Sequence, residues 1–511
     1  MCPVATGAAA EGRDGPSGWR RVTLGLGAGV VAALVVVLTL GLPTGRTFGV
    51  EDNGDGYRLY CGAGLTPRTV DRLAGWKAGV VTDFAVGTPN CGSTPSSAGL
   101  VLRAAALGND GSLALGTVAW WYAALVGLVV AAAAWAASAS GLWRAAVLVV
   151  PVAPLALTPF TRFFVSTYAE PAGLLGTLAS ACGVAALMVT GPEQRGARTV
   201  ALIVTALGGG VATTAKVAYL PVLAVACTVV VAGQRGPRRV VGPVVAVVTA
   251  LAVAVPVGAA VGFQNSVYEG ANVHDVVFTL ALTELGPGAT ADLGLPPEAA
   301  ALTGNGYFNG PPLPTADWWI RAIRDRPDAT RSTAYEALAR HPSALLRAVA
   351  VGLQATTRAD LPYLASGPAD LARLSPPAGD TGWSGARQPD LHTVLDATRR
   401  PPWIPTALVL LAVVATASSV AWRRRAPGAA RWCLAAGIGA VTALGLVVMA
   451  VLGDGYFEVF KHVWLAAYLL VVTGLSLLGA LGTVGYGCRP PAAGVRQPAD
   501  IRAEPGLSGG L

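Results

Sequence analysis

The sequence predicts an all-α, polytopic membrane protein with about ten transmembrane helices and two long extracytoplasmic loops. Three observations carry this. Hydrophobic residues fill 53% of the 511 positions and charged residues only 13%, about half the roughly 25% of soluble domains. The mean hydropathy is +0.56. Apolar runs of the length a bilayer demands, roughly 20 residues, recur along the chain. Such a composition excludes an ordinary cytosolic enzyme and a disordered chain. No short period recurs that would indicate a fibrous repeat.

A polar tail, 1–21, precedes the first run at 22–42. Runs at 115–139, 144–160, 164–190, 199–214, 217–233 and 240–262 complete an N-terminal bundle of seven within 22–262. Runs at 403–422, 432–452 and 462–484 form a C-terminal group of three, and 485–511 reads as a disordered tail. Two runs are short: Pro151, Pro154 and Pro159 interrupt 144–160, and Gly208, Gly209 and Gly210 end 199–214. Breaks at membrane depth persist only where protein or a cavity satisfies the backbone. The run 22–42 is long for a secretory signal and lacks a clear small-residue cleavage site, so it reads as a retained anchor.

Arginine placement predicts the orientation. With the N-terminus inside, the cytoplasmic segments hold sixteen basic residues, among them Arg20, Arg21, Arg144, Arg195, Arg198, Arg423, Arg424, Arg425 and Arg431, against five acids. The formal net charge of +8 is therefore a topology signal, not a surface for nucleic acid. An even number of spans puts both termini in the cytoplasm; the expected location is the plasma membrane.

Two long segments, 43–114 and 263–402, then face outward, and neither reads as a compact domain. In the second, Ala334–Thr357 is amphipathic and too short to span, so it predicts helices at the outer interface; Trp318, Trp319, Trp383 and Trp403 suit that interface too. Of seven cysteines, Cys61 and Cys91 alone face outward, on the oxidising side, which predicts a disulfide. Two free thiols are the alternative.

Ionisable groups at membrane depth are costly and mark function by default. Four clusters stand at outer helix ends. Glu51, Asp52, Asn53, Asp55 and Arg58 follow the first run; their three carboxylates could supply a general base or coordinate a divalent cation. An EF-hand is excluded because Gly62 occupies its twelfth position, and a solvated turn is the bland reading. Tyr168 and Glu170 form the second cluster; if the helix starts at 164, Glu170 lies about 10 Å into the span, where a lone carboxylate pairs with a base or lines a wet cavity. Lys216, one of three lysines, either holds a phosphate or snorkels. Asp454, Glu458, Lys461 and His462 precede the last run, with Glu458 and His462 sharing a face if the helix begins there. His274, His341 and His392 suggest no role; His341-Pro342 marks a helix break.

These residues resemble elements of the GT-C superfamily of integral-membrane glycosyltransferases, most closely actinobacterial and firmicute glycan-biosynthesis hexosyltransferase-like proteins. Asn53-Gly54-Asp55 with Arg58 is similar to their first-loop element, Ser166, Tyr168, Glu170 and Pro171 to a Ser-x-Tyr-x-Glu-Pro element, and Glu458, Lys461 and His462 to the element before their last helix. The resemblance implies a polyprenyl-phosphate sugar donor and an envelope glycan or glycolipid acceptor. By analogy Asp55 is the base, with Asp52 the second choice. Lys216 and Arg58 steady the phosphate, and Glu51, Tyr168, Glu170, Glu458, Lys461 and His462 line the substrate site. No strict Asp-Asp pair is present; Glu51-Asp52 comes closest. The alternatives are a transporter or flippase for a lipid-linked glycan and a non-catalytic envelope-assembly protein. A transporter more often carries midplane polar groups in repeated halves, and no internal repeat is visible.

Overall fold

The computed structural model describes residues 17–45, 48–52, 56–69, 79–89, 91, 96–109, 111–233, 240–308, 312–357 and 402–487. It is an all-α helix bundle. Among the described residues eight helices are long and apolar enough to cross a membrane; the pair Leu142–Ala156 and Thr158–Val165, bent by 81° between its halves, is a broken span or a re-entrant loop and makes nine if it is one span.

Helix α1 (Gly18–Leu40) ends at Gly41, which takes the left-handed conformation and returns its N–H to Leu38 and Val37, a Schellman-type stop. It packs on α4 (Leu115–Ala137). Gly29 and Gly127 touch backbone to backbone, leaving no room for a Cβ at Gly29. Between apolar helices in lipid, such close approach is the source of association.

The bend in the pair 142–165 sits at Leu157, whose backbone is extended, with Pro154 before it and Pro159 after it. The last helix supplies what the break costs: Tyr468 Oη donates to Pro151 O at 2.7 Å and Trp464 Nε1 to Pro159 O at 3.0 Å. Helix α5 (Glu170–Val189) therefore starts later than the expected 164. Glu170 is its first residue, so the expected depth of about 10 Å is corrected: the carboxylate stands at the helix entrance. The run at 199–214 is a full helix, α6 (Arg195–Ala215), because three glycines in an apolar helix pack closely instead of ending it. The expected span at 217–233 is corrected: α7 (Leu220–Ala232) is an apolar helix too short to count among the eight, because Lys216 and a 3-10 turn at Val217–Tyr219 precede it.

Helix α8 (Val241–Asp275) runs beyond the expected boundary at 262. The outer amphipathic stretch forms α9 (Pro327–Arg340) and α10 (Pro342–Ala355), broken at His341. Instead of lying only at an interface, α10 buries Ala344, Ala348 and Gly352, the last against Val447 and Val451. Trp319 is also corrected from interface to core: it is 1% exposed. The chain closes with α11 (Ile404–Trp422), α12 (Pro427–Asp454), a single turn α13 (Val459–His462) and α14 (Trp464–Gly487).

Part of the first long segment forms a small four-stranded antiparallel sheet whose buried residues join the core of the bundle. Strand β3 (Gly79–Val86) pairs antiparallel with β1 (Val50–Asp52), β2 (Leu65–Thr69) and β4 (Ser112–Ala114). Between β1 and β2, helix α2 (Tyr57–Gly62) carries Tyr60 against Phe84, ring centroids 5.2 Å apart. Cys61 and Cys91 are disulfide-bonded, with Cα atoms 5.8 Å apart. Strands this short hold because the bridge ties them and the buried Val50, Leu65, Val81 and Phe84 share the bundle's core instead of building their own.

Candidate functional site

Helices α5 and α6 are antiparallel neighbours, so the start of one meets the end of the other. Glu170 opens α5 and Lys216 caps α6. Each charge has the sign its helix dipole favours. Lys216 Nζ donates to Glu170 Oε1 at 3.2 Å, with the two side chains 19% and 4% exposed. Alone, this pair would be a structural answer to a buried carboxylate. It does not stand alone. His462 Nδ1 lies 3.5 Å from Lys216 Nζ and 3.2 Å from Asp454 Oδ2. Four groups from α5, α6, α12 and α13 thus form one continuous polar chain at a single end of the bundle.

Beside it, Lys461 Nζ donates to Glu458 Oε2 at 3.2 Å and lies 5.8 Å from the centre of the Tyr168 ring. The expected pairing of Glu458 with His462 is corrected. Among the described residues Glu458 is the one non-glycine with positive φ, at 42°, which sends its side chain to Lys461 and leaves His462 to Asp454. Left-handed backbone at a non-glycine is a local cost that clusters at functional sites.

The first-loop residues divide. Asn53 and Asp55 lie outside the described residues. Glu51 and Asp52 stand in β1 and Arg58 in α2. Gly56 is buried and packs so closely on Thr167, next to Tyr168, that a Cβ there would overlap the Thr167 hydroxyl. The first outer segment is thereby seated on the Ser166–Glu170 turn. Arg162, in the short helical segment just before that turn, is also buried. Among the described residues no group of three or more His, Cys, Asp or Glu could hold a metal ion.

Asp454 stands in its sequence cluster with no partner there to single it out. One functional candidate escapes sequence reasoning altogether. Asp275, at the end of α8, is buried and accepts the Tyr307 N–H at 2.7 Å. Burial, with Asp454 adding like charge, pushes its carboxyl up to about 8. Its neighbour His274 accepts from Trp319 Nε1 on Nδ1 and faces Asn305 O through Nε2, both at 3.2 Å. Burial pushes that imidazole down to about 4, so it is neutral near pH 7. Asp275 also anchors the hairpin that carries the site: Thr279 Oγ1 donates to Asp275 O at 2.6 Å and accepts the Tyr456 N–H at 2.8 Å. Tyr456 Oη in turn donates to Glu284, which Arg347 pairs at 3.0 Å.

Fold and site together define a multi-pass membrane protein with a polar cluster at one end of its bundle. Residues 19–482 match the family described as the YfdI N-terminal transmembrane domain, and the chain belongs to that family. A comparison with curated proteins returns no match, and neither does one with solved structures.

Proposed function

We propose that the chain is a membrane glycosyltransferase of the GT-C type, moving a sugar from a polyprenyl-phosphate donor to an envelope glycan or glycolipid on the extracytoplasmic side. The carrying observation is the Glu170–Lys216–His462–Asp454 chain at one helix end. A lipid-linked donor keeps its tail in the bilayer and its phosphate at headgroup depth, where Lys216 and Lys461 would stabilise the leaving group electrostatically. Glu170 holds Lys216 and Glu458 holds Lys461 in place, Asp454 orients His462, and Tyr168 with Glu458 lines the sugar side.

A first-loop carboxylate, Asp55 first and Asp52 second, would take the proton of the acceptor hydroxyl as its oxygen attacks the anomeric carbon and the phosphate departs. The contact of Gly56 with Thr167 supports that role by seating the first outer segment on the site. A divalent cation, if used, would bind among Glu51, Asp52 and Asp55. Clustering at one end, not at the midplane, favours one-sided chemistry over alternating access. The test is transfer of labelled sugar from a polyprenyl-phosphate hexose in membranes bearing the chain or its Asp55→Asn variant. Loss of transfer at normal expression supports the assignment, and unchanged transfer removes Asp55 as the base.

A further inference from the structure

Helix α8 does not stop as an α-helix. Past Asp275 it widens into a π-helical turn, Val276–Ala281, with all six residues buried. Such turns have poorer backbone geometry than an α-helix and occur mostly at functional sites. The residue that connects this one to the site is Thr279. Its hydroxyl donates to Asp275 O, the ordinary threonine bond one turn back. Its oxygen then accepts the Tyr456 N–H at 2.8 Å, a bond between positions 177 apart. Gly455, one residue earlier, lies against the same Asp275 carbonyl and the same hydroxyl, so closely that a Cβ would overlap both.

The segment docked there, 455–458, is bent at both ends: φ is 61° at Gly455 and 42° at Glu458. Such backbone is a local cost at a non-glycine residue. What the bends achieve is placement. Asp454 enters from α12 and meets His462 Nδ1 at 3.2 Å. Glu458 O accepts the N–H groups of Lys461 and His462 at 2.8 and 3.3 Å, and its carboxylate holds Lys461 Nζ at 3.2 Å. Main chain and side chains of the segment thus bear on the same two residues. The Tyr456 ring has a separate anchor, its Oη on Glu284, so the main chain is what Thr279 fixes. Lys216 is held apart from all this, by Glu170.

We propose that Thr279 is a positioning residue of the site: by holding the Tyr456 N–H on a buried π-helical turn it fixes 455–458, and through that segment the His462 imidazole and the Lys461 ammonium. The kinetic consequence rests on the sugar transfer proposed above; the placement of His462 does not.

The test compares Thr279→Val, which keeps the shape and loses the acceptor, with Thr279→Ser, which keeps the acceptor. Transfer of labelled sugar from a polyprenyl-phosphate hexose is measured in membranes bearing the full chain. The imidazole signals of 15N-histidine-labelled protein are recorded beside it, with His462 identified by its loss in His462→Gln. Thr279→Val should lower kcat at least about tenfold, as small displacements at a reacting centre do. It should leave the donor KM within about twofold, since Glu170 still holds Lys216, and it should shift the His462 signals. Thr279→Ser should match wild type in all three. Thr442→Val, which removes a hydroxyl bonded to Ile438 O of its own helix, is the control for lost stability and should change none of them. If Thr279→Val fails to fold, Thr279→Ala, with room for a water on the Tyr456 N–H, is read the same way. His462 signals that do not move, or a kcat that falls no further than in Thr442→Val, overturn the proposal. A wild type that transfers no sugar overturns the glycosyltransferase reading instead, and the His462 signals then decide the positioning role alone.

Discussion

Lys216 and Glu170, 46 positions apart, meet at 3.2 Å with the glutamate the more buried partner. Removing the lysine strands a carboxylate in a site that water hardly reaches. Breaking a buried pair from one side costs about 3–5 kcal/mol, and the partial exposure of Lys216 places this pair at the lower end. Lys216→Met should therefore lower the temperature at which the protein leaves the monodisperse peak in size-exclusion chromatography. Glu170→Gln combined with Lys216→Met should recover most of the loss. Losses that simply add would show that the two groups do not depend on each other.

Gly455 links Asp454 to Tyr456 with φ 61° and ψ −141°. A side chain there is strained by about 1–3 kcal/mol, and its Cβ would overlap the Asp275 carbonyl and the Thr279 hydroxyl. Gly455→Ala is expected to destabilise the protein by at least about 2 kcal/mol, whereas Gly453→Ala, where a Cβ meets nothing, should not. Thermal stability of the two variants side by side checks this.

The buried His274–Asp275 pair gives stability a defined pH dependence. Asp275 titrates near 8 when folded against an ordinary 3.8, so the folded state holds its proton more tightly and stability falls as pH rises between those values. His274 titrates near 4 against 6.5, so its contribution rises with pH over that lower window. The two oppose each other below 6.5. From pH 6.5 to 8 His274 no longer contributes, and Asp275 should lower the stability of the wild type. Asp275→Asn keeps an acceptor for the Tyr307 N–H and should flatten that window in thermal unfolding measured at half-unit pH steps.

The Cys61–Cys91 bridge closes 30 residues, a constraint worth about 3 kcal/mol in the loop-entropy model. Maleimide should label neither cysteine before reduction and both after it. Reduction should also make the 48–114 segment the first to be cut by protease.

The spans were legible because roughly 20 apolar residues between arginines have few alternatives in water. What failed were boundaries set by tertiary partners. Helix α5 starts at Glu170 because Trp464 and Tyr468, some 300 positions on, satisfy the proline-broken segment before it. Helix α8 runs on to Asp275 because the outer segment around Tyr307 and Trp319 buries its end. The chemical types at the site were legible as isolated polar residues at helix ends. Their partners were not: helical spacing suggested Glu458 for His462, and a left-handed turn at Glu458 gives Asp454 instead. Nothing in the spacing of Asp275 announces that it supports the 454–458 hairpin.

Mass spectrometry of envelope glycans tests the proposed sugar transfer at the Glu170–Lys216–His462 end without intermediate steps. A strain deleted for this chain would be compared with strains restored with wild type, Asp55→Asn, Asp52→Asn or His462→Gln at equal membrane levels. Deletion is expected to remove one hexose or pentose, wild type to return it, and Asp55→Asn and His462→Gln to leave it missing. Glycans unchanged by the deletion, or fully restored by all three variants, would contradict it.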